Sequence, residues 1–165
     1  MNEAQLEVVM AENAIRRLIS GYCDGVGRRD ADAACMGFAN DVQVRIAHLP
    51  ERIGHAAAVE GLRQTLSGYT FLHQKCDTGL IDVMGNRARA RLGVLEMNQA
   101  VGGDSLFMMT GIYEDEYALL SEGWRFHRRH FTPQAGMSLP VSAIQLFPDF
   151  IPAFAIACTQ TMTAG

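Results

Sequence analysis

Apolar residues recur at three- and four-residue steps through the first part of the chain, which predicts helices there. The clearest pattern predicts one long helix over residues 3–27, ending near Gly25 and Gly27. Its apolar face carries Ile15, Leu18, Ile19, Tyr22 and Val26. A second, short helix is predicted over residues 31–38 with Asp30 as its N-cap, and a third over residues 55–66.

Alternation of apolar and polar residues replaces this pattern elsewhere and predicts strands. Val42, Val44 and Ile46 mark a half-buried strand between the second and third helices. From residue 69 onward, turn residues separate four alternating runs: 69–84, 87–100, 104–120 and 123–132. Short turns between long neighbouring strands indicate an antiparallel meander. We therefore expect an α+β fold, a cone-like barrel in which a curved antiparallel sheet wraps around the N-terminal helix, with two further short helices.

The C-terminal segment lacks the regular helix and strand patterns of the rest of the chain. The predicted division is a domain over residues 1–132 and an extension over residues 133–165, which is apolar but interrupted by Pro140, Pro148 and Pro152. One interpretation is a surface wrap, a crossing into a dimer partner, or a frayed end. The other is a flap over a pocket, formed by Leu146, Phe147, Phe150 and Phe154.

Composition narrows the possible partners. The 165 residues fit one domain, and a net charge of -4 gives no basic surface for nucleic acid. The four cysteines show no C-x-x-C spacing, so we expect reduced thiols and a cytoplasmic protein. The acidic N-terminal segment is not expected to be a signal peptide, and no apolar stretch is long enough for a membrane span. Two isolated histidines, His48 and His55, lack the spacing of metal ligands, so no metal site is predicted.

Two sets of residues suggest proton-transfer chemistry. His73 alternates with Phe71 and is expected to face the interior, where a histidine can shuttle protons near neutral pH. The alternative is a core histidine bonded to backbone.

Tyr22 lies on the helix face toward the sheet, and Asp115 shares a strand face with Tyr113. Asp115 is expected to be a protonated donor in an apolar cavity. The alternatives are a core aromatic for Tyr22 and an arginine-paired carboxylate for Asp115.

Further side chains are candidates for binding a ligand. Glu96 and Asn98 share a face with apolar residues of their strand and line either a cavity or a dimer interface. Met109 offers an adaptable apolar surface, although core filling explains it better, and Tyr113 on the same strand face is a further candidate. Trp124 shares a predicted face with Arg128 and is interpreted as core.

The two ends of this pattern resemble a known superfamily. "LISGYCDGVGRRDADAACMGFANDV" resembles the opening helices of the SnoaL-like branch of the nuclear-transport-factor-2-like superfamily, and "GIYEDEYALLSEGWRFHRR" is similar to its last two strands. "FLHQ" is similar to the start of its first long strand, where many members carry a histidine. The resemblance covers about residues 10–132. It implies a cone with an internal pocket for a small molecule.

The resemblance also implies roles for particular residues. Tyr22 and Asp115 fall where ketosteroid isomerase keeps its oxyanion-stabilising tyrosine and protonated aspartate, whereas the position of its catalytic base holds Ile46. His73 resembles a histidine of scytalone dehydratase, whose substrate-polarising tyrosine would fall near Ala47. Asp30 lies near a turn where some members use an aspartate to orient the catalytic histidine.

The sequence thus predicts a cofactor-free isomerase, dehydratase or cyclase acting on a small apolar or aromatic molecule. His73 would be the acid-base group, Asp30 its orienting partner, and Tyr22 with Asp115 the oxygen-binding pair. A non-catalytic binding protein remains open, as does an accessory subunit resembling the small subunits of ring-hydroxylating dioxygenases. A homodimer is expected because such a sheet exposes its outer face.

Overall fold

The fold is α+β, with helices packed on one face of a curved sheet. The computed structural model describes residues 2–143. The helices are α1 Glu3–Gly27, α2 Ala31–Cys35 and α3 His55–Ser67. The strands are β1 Phe38–Ile46, β2 Arg52–Ile53, β3 Tyr69–Cys76, β4 Leu80–Met84, β5 Arg87–Ala100, β6 Ser105–Leu120 and β7 Gly123–Pro140, followed by a 3-10 turn, Val141–Ala143. The proposed flap residues Leu146, Phe147, Phe150 and Phe154 lie outside the described residues.

The sheet is mixed rather than purely antiparallel. Its strand order is β2-β1-β7-β6-β5-β3, with β4 also pairing with β5. All of these pairs are antiparallel except β1 with β7, which run parallel. Because β2 and β3 form opposite edges of this order, the sheet is curved but does not close into a barrel. The predicted α+β fold around the N-terminal helix is confirmed.

Capping explains where the N-terminal helices begin. The Asn2 side chain accepts a hydrogen bond from the Gln5 amide while the Gln5 side chain bonds back to Asn2, a reciprocal capping box. Asp30 caps α2 by accepting from the Ala33 amide at 3.0 Å, as predicted. The second helix nevertheless ends at Cys35 rather than residue 38, because Phe38 already starts β1.

Glycine allows α1 and α2 to touch. A Cβ added at Gly25 would lie 2.6 Å from the Ala34 Cα, closer than side-chain carbons approach backbone. The buried face of α1, which includes Ile15, Ile19 and Tyr22, packs on the inner face of the sheet. This arrangement leaves a space between the sheet and α3.

Strand breaks differ from the prediction at two places. The run predicted as 69–84 is two strands, and the Asp77 amide between them bonds to the Gly93 carbonyl. The last strand continues past residue 132 to Pro140, so the sheet includes the first residues of the predicted extension. Pairing of β6 with β7 extends to Ser105 opposite Pro140.

Candidate functional site

An internal cavity of about 230 Å³ lies between the helices and the inner face of the sheet. An apolar cavity of about 150 Å³ is enough to hold benzene, so this one admits a molecule somewhat larger than one ring. Most of its wall is apolar, from α1, α3, β1 and the inner faces of β3, β6 and β7. The apolar lining includes Val26, Phe38, Val44, Ile46, Leu62, Leu66, Leu72, Met109 and Phe131.

A buried carboxylate, Glu96, interrupts the apolar wall. It is 7% exposed, and each of its oxygens accepts an amide hydrogen bond. Gln74 Nε2 donates to Oε2 at 2.7 Å, and Asn98 Nδ2 donates to Oε1 at 2.8 Å. One bond to each oxygen leaves acceptor capacity on the carboxylate, because an ionised carboxylate offers about four lone-pair sites.

Strand alternation accounts for this polar cluster. Leu92, Val94, Glu96 and Asn98 share one face of β5, as the alternation predicted, and the structure turns that face inward, which the sequence had left open. In the pairing of β3 with β5, Gln74 lies opposite Glu96. Directly opposed residues on one face of a sheet are close enough to interact, so the amide reaches the carboxylate without distortion.

Three tyrosines place phenol hydroxyls in the cavity wall. Tyr22 and Tyr113 meet edge to face with ring centroids 6.1 Å apart. Burial raises the pKa of Tyr22 to about 12, against the opposing positive charge of Arg129, and burial also raises the pKa of Tyr113 well above its usual value. Burial and the negative charge of Glu96 raise the pKa of Tyr69. All three are therefore neutral hydrogen-bond donors at physiological pH.

A buried ion pair lies beside the two inner tyrosines. Arg129 Nε and Nη2 donate to the two Asp115 oxygens at 2.9 and 2.7 Å, and both side chains are 0% exposed. Tyr117 donates a third bond to Asp115 at 2.9 Å. The guanidinium carbon lies 4.2 Å from the ring centroid of Tyr22 and 4.0 Å from that of Tyr113, a cation–π arrangement.

This pairing corrects the prediction for Asp115. Both of its oxygens accept hydrogen bonds, so it is not the protonated donor expected from the resemblance to ketosteroid isomerase. Its side chain is also absent from the cavity lining. The alternative, a carboxylate paired with an arginine, is the one the structure contains. Tyr22 reaches the cavity without Asp115 beside it as a second donor.

The inward orientation expected for His73 is wrong. In β3 the buried residues are Leu72 and Gln74, so His73 projects from the opposite face of the sheet and is exposed. Asp30 caps α2 and lies 3.6 Å from Arg28, not beside a histidine. These two residues therefore do not form a pair in the cavity.

The other candidates divide between cavity and core. Glu96, Met109 and Tyr113 line the cavity, whereas Asn98 reaches it only through its bond to Glu96. Trp124 is buried in the core and does not line the cavity.

Sequence reasoning missed Gln74, Tyr69 and Arg129. A register shift explains Arg129: Tyr117 pairs with Phe126 but Glu116 pairs with Arg128, so β7 holds one extra residue there. Such a bulge reverses the alternation, which turns Arg129 inward and leaves Arg128 exposed, contrary to the predicted face shared by Trp124 and Arg128. Gln74 was detectable as the β3 residue in phase with Leu72.

A family model described as SnoaL-like domain matches residues 7–130. The chain belongs to the SnoaL-like domain family. The family match covers the helices, the cavity and most of the sheet. No protein of curated function gives a significant sequence match.

Solved structures show the same fold at low sequence identity. One is a hexachlorocyclohexane dehydrochlorinase, LinA type 2, with a TM-score of 0.79 and 19% identity, covering 89% of this chain and 99% of the other. A putative scytalone dehydratase from Novosphingobium aromaticivorans has a TM-score of 0.73 and 18% identity, covering 93% and 99%. A putative aromatic ring hydroxylase from the same organism has a TM-score of 0.73 and 20% identity, covering 79% and 94%.

The described part of this SnoaL-like chain contains neither a candidate metal cluster nor a helix that could span a membrane. Residues 2–143 contain no group of three or more histidine, cysteine, aspartate or glutamate side chains placed to hold a metal ion. Over the same residues, no helix has the length and apolar character required to cross a membrane.

Proposed function

We propose that this SnoaL-like protein binds a small, largely apolar molecule in its cavity and transfers a proton on it, with Glu96 as the base. The observation that carries the proposal is the Glu96 carboxylate, which is buried in a largely apolar wall and still has free acceptor capacity. Isomerisation, dehydration and cyclisation each include a proton transfer that a positioned base can assist. This assignment replaces His73, which lies outside the cavity.

The phenols complete the proposed chemistry. When Glu96 removes a proton from carbon, negative charge develops on a carbonyl oxygen or on a leaving group. Neutral hydroxyls of Tyr22, Tyr69 and Tyr113 line the same cavity and can donate hydrogen bonds to that charge. Gln74 and Asn98 hold the carboxylate in place, so the base is oriented before the substrate arrives.

Elimination is the reaction class we favour. Two similar structures are named a dehydrochlorinase and a putative dehydratase, activities that remove hydrogen chloride or water. Both need a base for a proton and a donor for the departing group, which a carboxylate and a phenol in one small cavity provide. A substrate of about one ring with a halogen, hydroxyl or carbonyl substituent fits the volume of about 230 Å³.

The test is deuterium exchange at carbon. The protein is incubated in deuterium oxide with a panel of cyclic ketones, hydroxyketones and halogenated cyclohexanes, and exchange and elimination are followed by NMR. Glu96→Gln keeps the shape but removes the base, so exchange falls by about 10²–10⁴-fold. Glu114→Gln is the matched control, because this carboxylate is exposed on the opposite face of the sheet and changes nothing. Equal rates in wild type and Glu96→Gln overturn the proposal.

The second candidate is a binding protein without turnover. It is favoured by Asp115, whose charge is already neutralised by Arg129 and is not available for chemistry. In that case a ligand from the panel binds wild type and Glu96→Gln with similar affinity and is recovered unchanged. Resemblance to dioxygenase small subunits predicts instead a stable complex with a larger chain, which co-purification tests.

The outer face of the sheet is our proposed homodimer interface. It exposes Leu95 and Met137, with 41% and 54% of their surface accessible. Light scattering of Leu95→Lys against wild type tests this interface, since a charge there is expected to yield monomers. The absence of a cofactor and a cytoplasmic location remain predictions from the sequence.

A further inference from the structure

Two cysteines meet where α1 packs on β3. Cys23 and Cys76 are far apart in sequence, yet their sulfurs lie 3.4 Å apart and share a hydrogen bond. Both side chains are half-buried. Neither is used by the proposed proton-transfer chemistry, and the sequence had suggested only unrelated reduced thiols.

A second cavity gives reagents access to this pair. Its volume is about 360 Å³, and its wall includes both cysteines together with Arg16 and the exposed side chains of His73 and Lys75. Exposed lining residues mean that the cavity opens to solvent. Reactive cysteines lie in such accessible surroundings with positive charge nearby, whereas structural ones are enclosed.

The two thiols differ in acidity. The hydrogen bond with Cys76 and the positive charge of Arg129 together lower the pKa of Cys23 to about 7, against the opposing effects of burial and the negative charge of Asp115. The same hydrogen bond and burial raise the pKa of Cys76. Cys23 is therefore the thiol that ionises near neutral pH and attacks first.

We propose that Cys23 and Cys76 form a redox modification site that closes to a disulfide with low-molecular-weight disulfides such as oxidised glutathione. The Cys23 thiolate attacks one sulfur of the reagent, breaks its disulfide bond and releases one glutathione thiolate. Cys76 then loses its proton to solvent and attacks the Cys23 sulfur, releasing the second glutathione. Two protein thiols are oxidised and one glutathione disulfide is reduced to two thiols.

The geometry requires little movement. A disulfide has its sulfurs about 2.05 Å apart, so the two sulfurs, now 3.4 Å apart, need to approach each other by only about 1.4 Å. The new bond would tie α1 to β3 across a long loop of chain. The new bond would also lie close to the first cavity, because Gln74 lines both cavities. The Oε1 atom of Gln74 lies 4.0 Å from Cys23 Sγ, and its Nε2 donates a hydrogen bond to Glu96.

Peptide mapping tests this site without any knowledge of the ligand. Cys158 is first replaced by serine, so that the thiol outside the described residues cannot exchange. The folded protein is then incubated with oxidised glutathione, alkylated and digested without reduction. We expect the thiol titre to fall from three to one, a linked pair of peptides containing Cys23 and Cys76, and unmodified Cys35, whose buried thiol has its pKa raised to about 12.

Single substitutions identify the order of the steps. Cys76→Ser is expected to stop at a stable mixed disulfide between Cys23 and glutathione, whereas Cys23→Ser is expected to show neither the cross-link nor fast modification of Cys76. Cys35→Ser is the control and keeps the cross-link. The proposal is overturned if the link forms only after unfolding in urea, or if Cys35 reacts as fast as Cys23. If either cysteine variant fails to fold, the peptide mapping of the protein that carries only Cys158→Ser is sufficient to test the proposal.

Discussion

Replacing Asp115 with asparagine leaves a buried positive charge without its counterion. Arg129 and Asp115 are both 0% exposed and joined by bonds of 2.9 and 2.7 Å, and Tyr117 adds a third bond at 2.9 Å. No protein acceptor within residues 2–143 contacts the remaining Nη1 of Arg129. Removing one partner of a buried pair typically costs about 3–5 kcal/mol, so Asp115→Asn is expected to lower the free energy of unfolding by that amount.

Urea unfolding followed by circular dichroism measures this loss. The matched control is Asp32→Asn, which removes an aspartate bonded to Arg63 at 2.9 Å on the surface, where solvent screens the charges. Its unfolding midpoint is expected to match that of wild type. Replacing the whole buried pair, with Asp115→Leu and Arg129→Met together, is expected to destabilise less than Asp115→Asn alone. If Asp115→Asn shifts the midpoint no more than Asp32→Asn, the buried-charge argument is refuted.

Three further measurements address packing and ionisation. Gly25→Ala forces a Cβ onto the backbone of α2 and is expected to cost about 1–3 kcal/mol, whereas Gly21→Ala, with nothing within 4 Å, is expected to gain about 0.5–1 kcal/mol in the same urea titration. Burial raises the pKa of Tyr22 to about 12, so the stability contributed by its neutral phenol is complete below about pH 10 and is lost as pH rises toward 12. In an alkaline titration, tyrosinate absorbance is therefore expected to appear only when the protein unfolds. Alkylation of Cys23 is expected to rise with a midpoint at about pH 7, and Cys76→Ala is expected to move that midpoint upward; an unchanged midpoint contradicts the role of the hydrogen bond.

Alternation alone could predict some parts of the site and not others. It correctly placed Glu96 and Asn98 with Leu92 and Val94, because β5 keeps one phase along its length. It failed for His73, since the phase of β3 was inferred from Phe71 while Leu72 and Gln74 are the buried residues. When a short strand carries apolar residues at both its odd and its even positions, alternation does not indicate which of the two sets faces inward.

Bulges and breaks account for the remaining errors. One extra residue in β7 turns Arg129 inward, and nothing in the local sequence marks that insertion. The break between β3 and β4 depends on contacts distant in sequence, where a Cβ at Gly79 would lie 2.8 Å from the Arg91 carbonyl oxygen. The helix order, by contrast, follows from local periodicity and capping, which is why α1 and the Asp30 cap were predictable.

The parallel pairing of β1 with β7 has a consequence for how the chain folds. Phe38 pairs with Phe126, so one half of the sheet joins residues from opposite ends of the domain. During synthesis on a ribosome, β1 therefore emerges long before β7. Until β7 is made, β1 can pair only with β2 and pack only on α3, and its other edge has no partner strand. Long-range pairings slow folding because chain closure precedes the gain from contacts. The β1–β7 interface is thus expected to be the last part of the sheet to form, and the stage at which newly made chains are most exposed to aggregation.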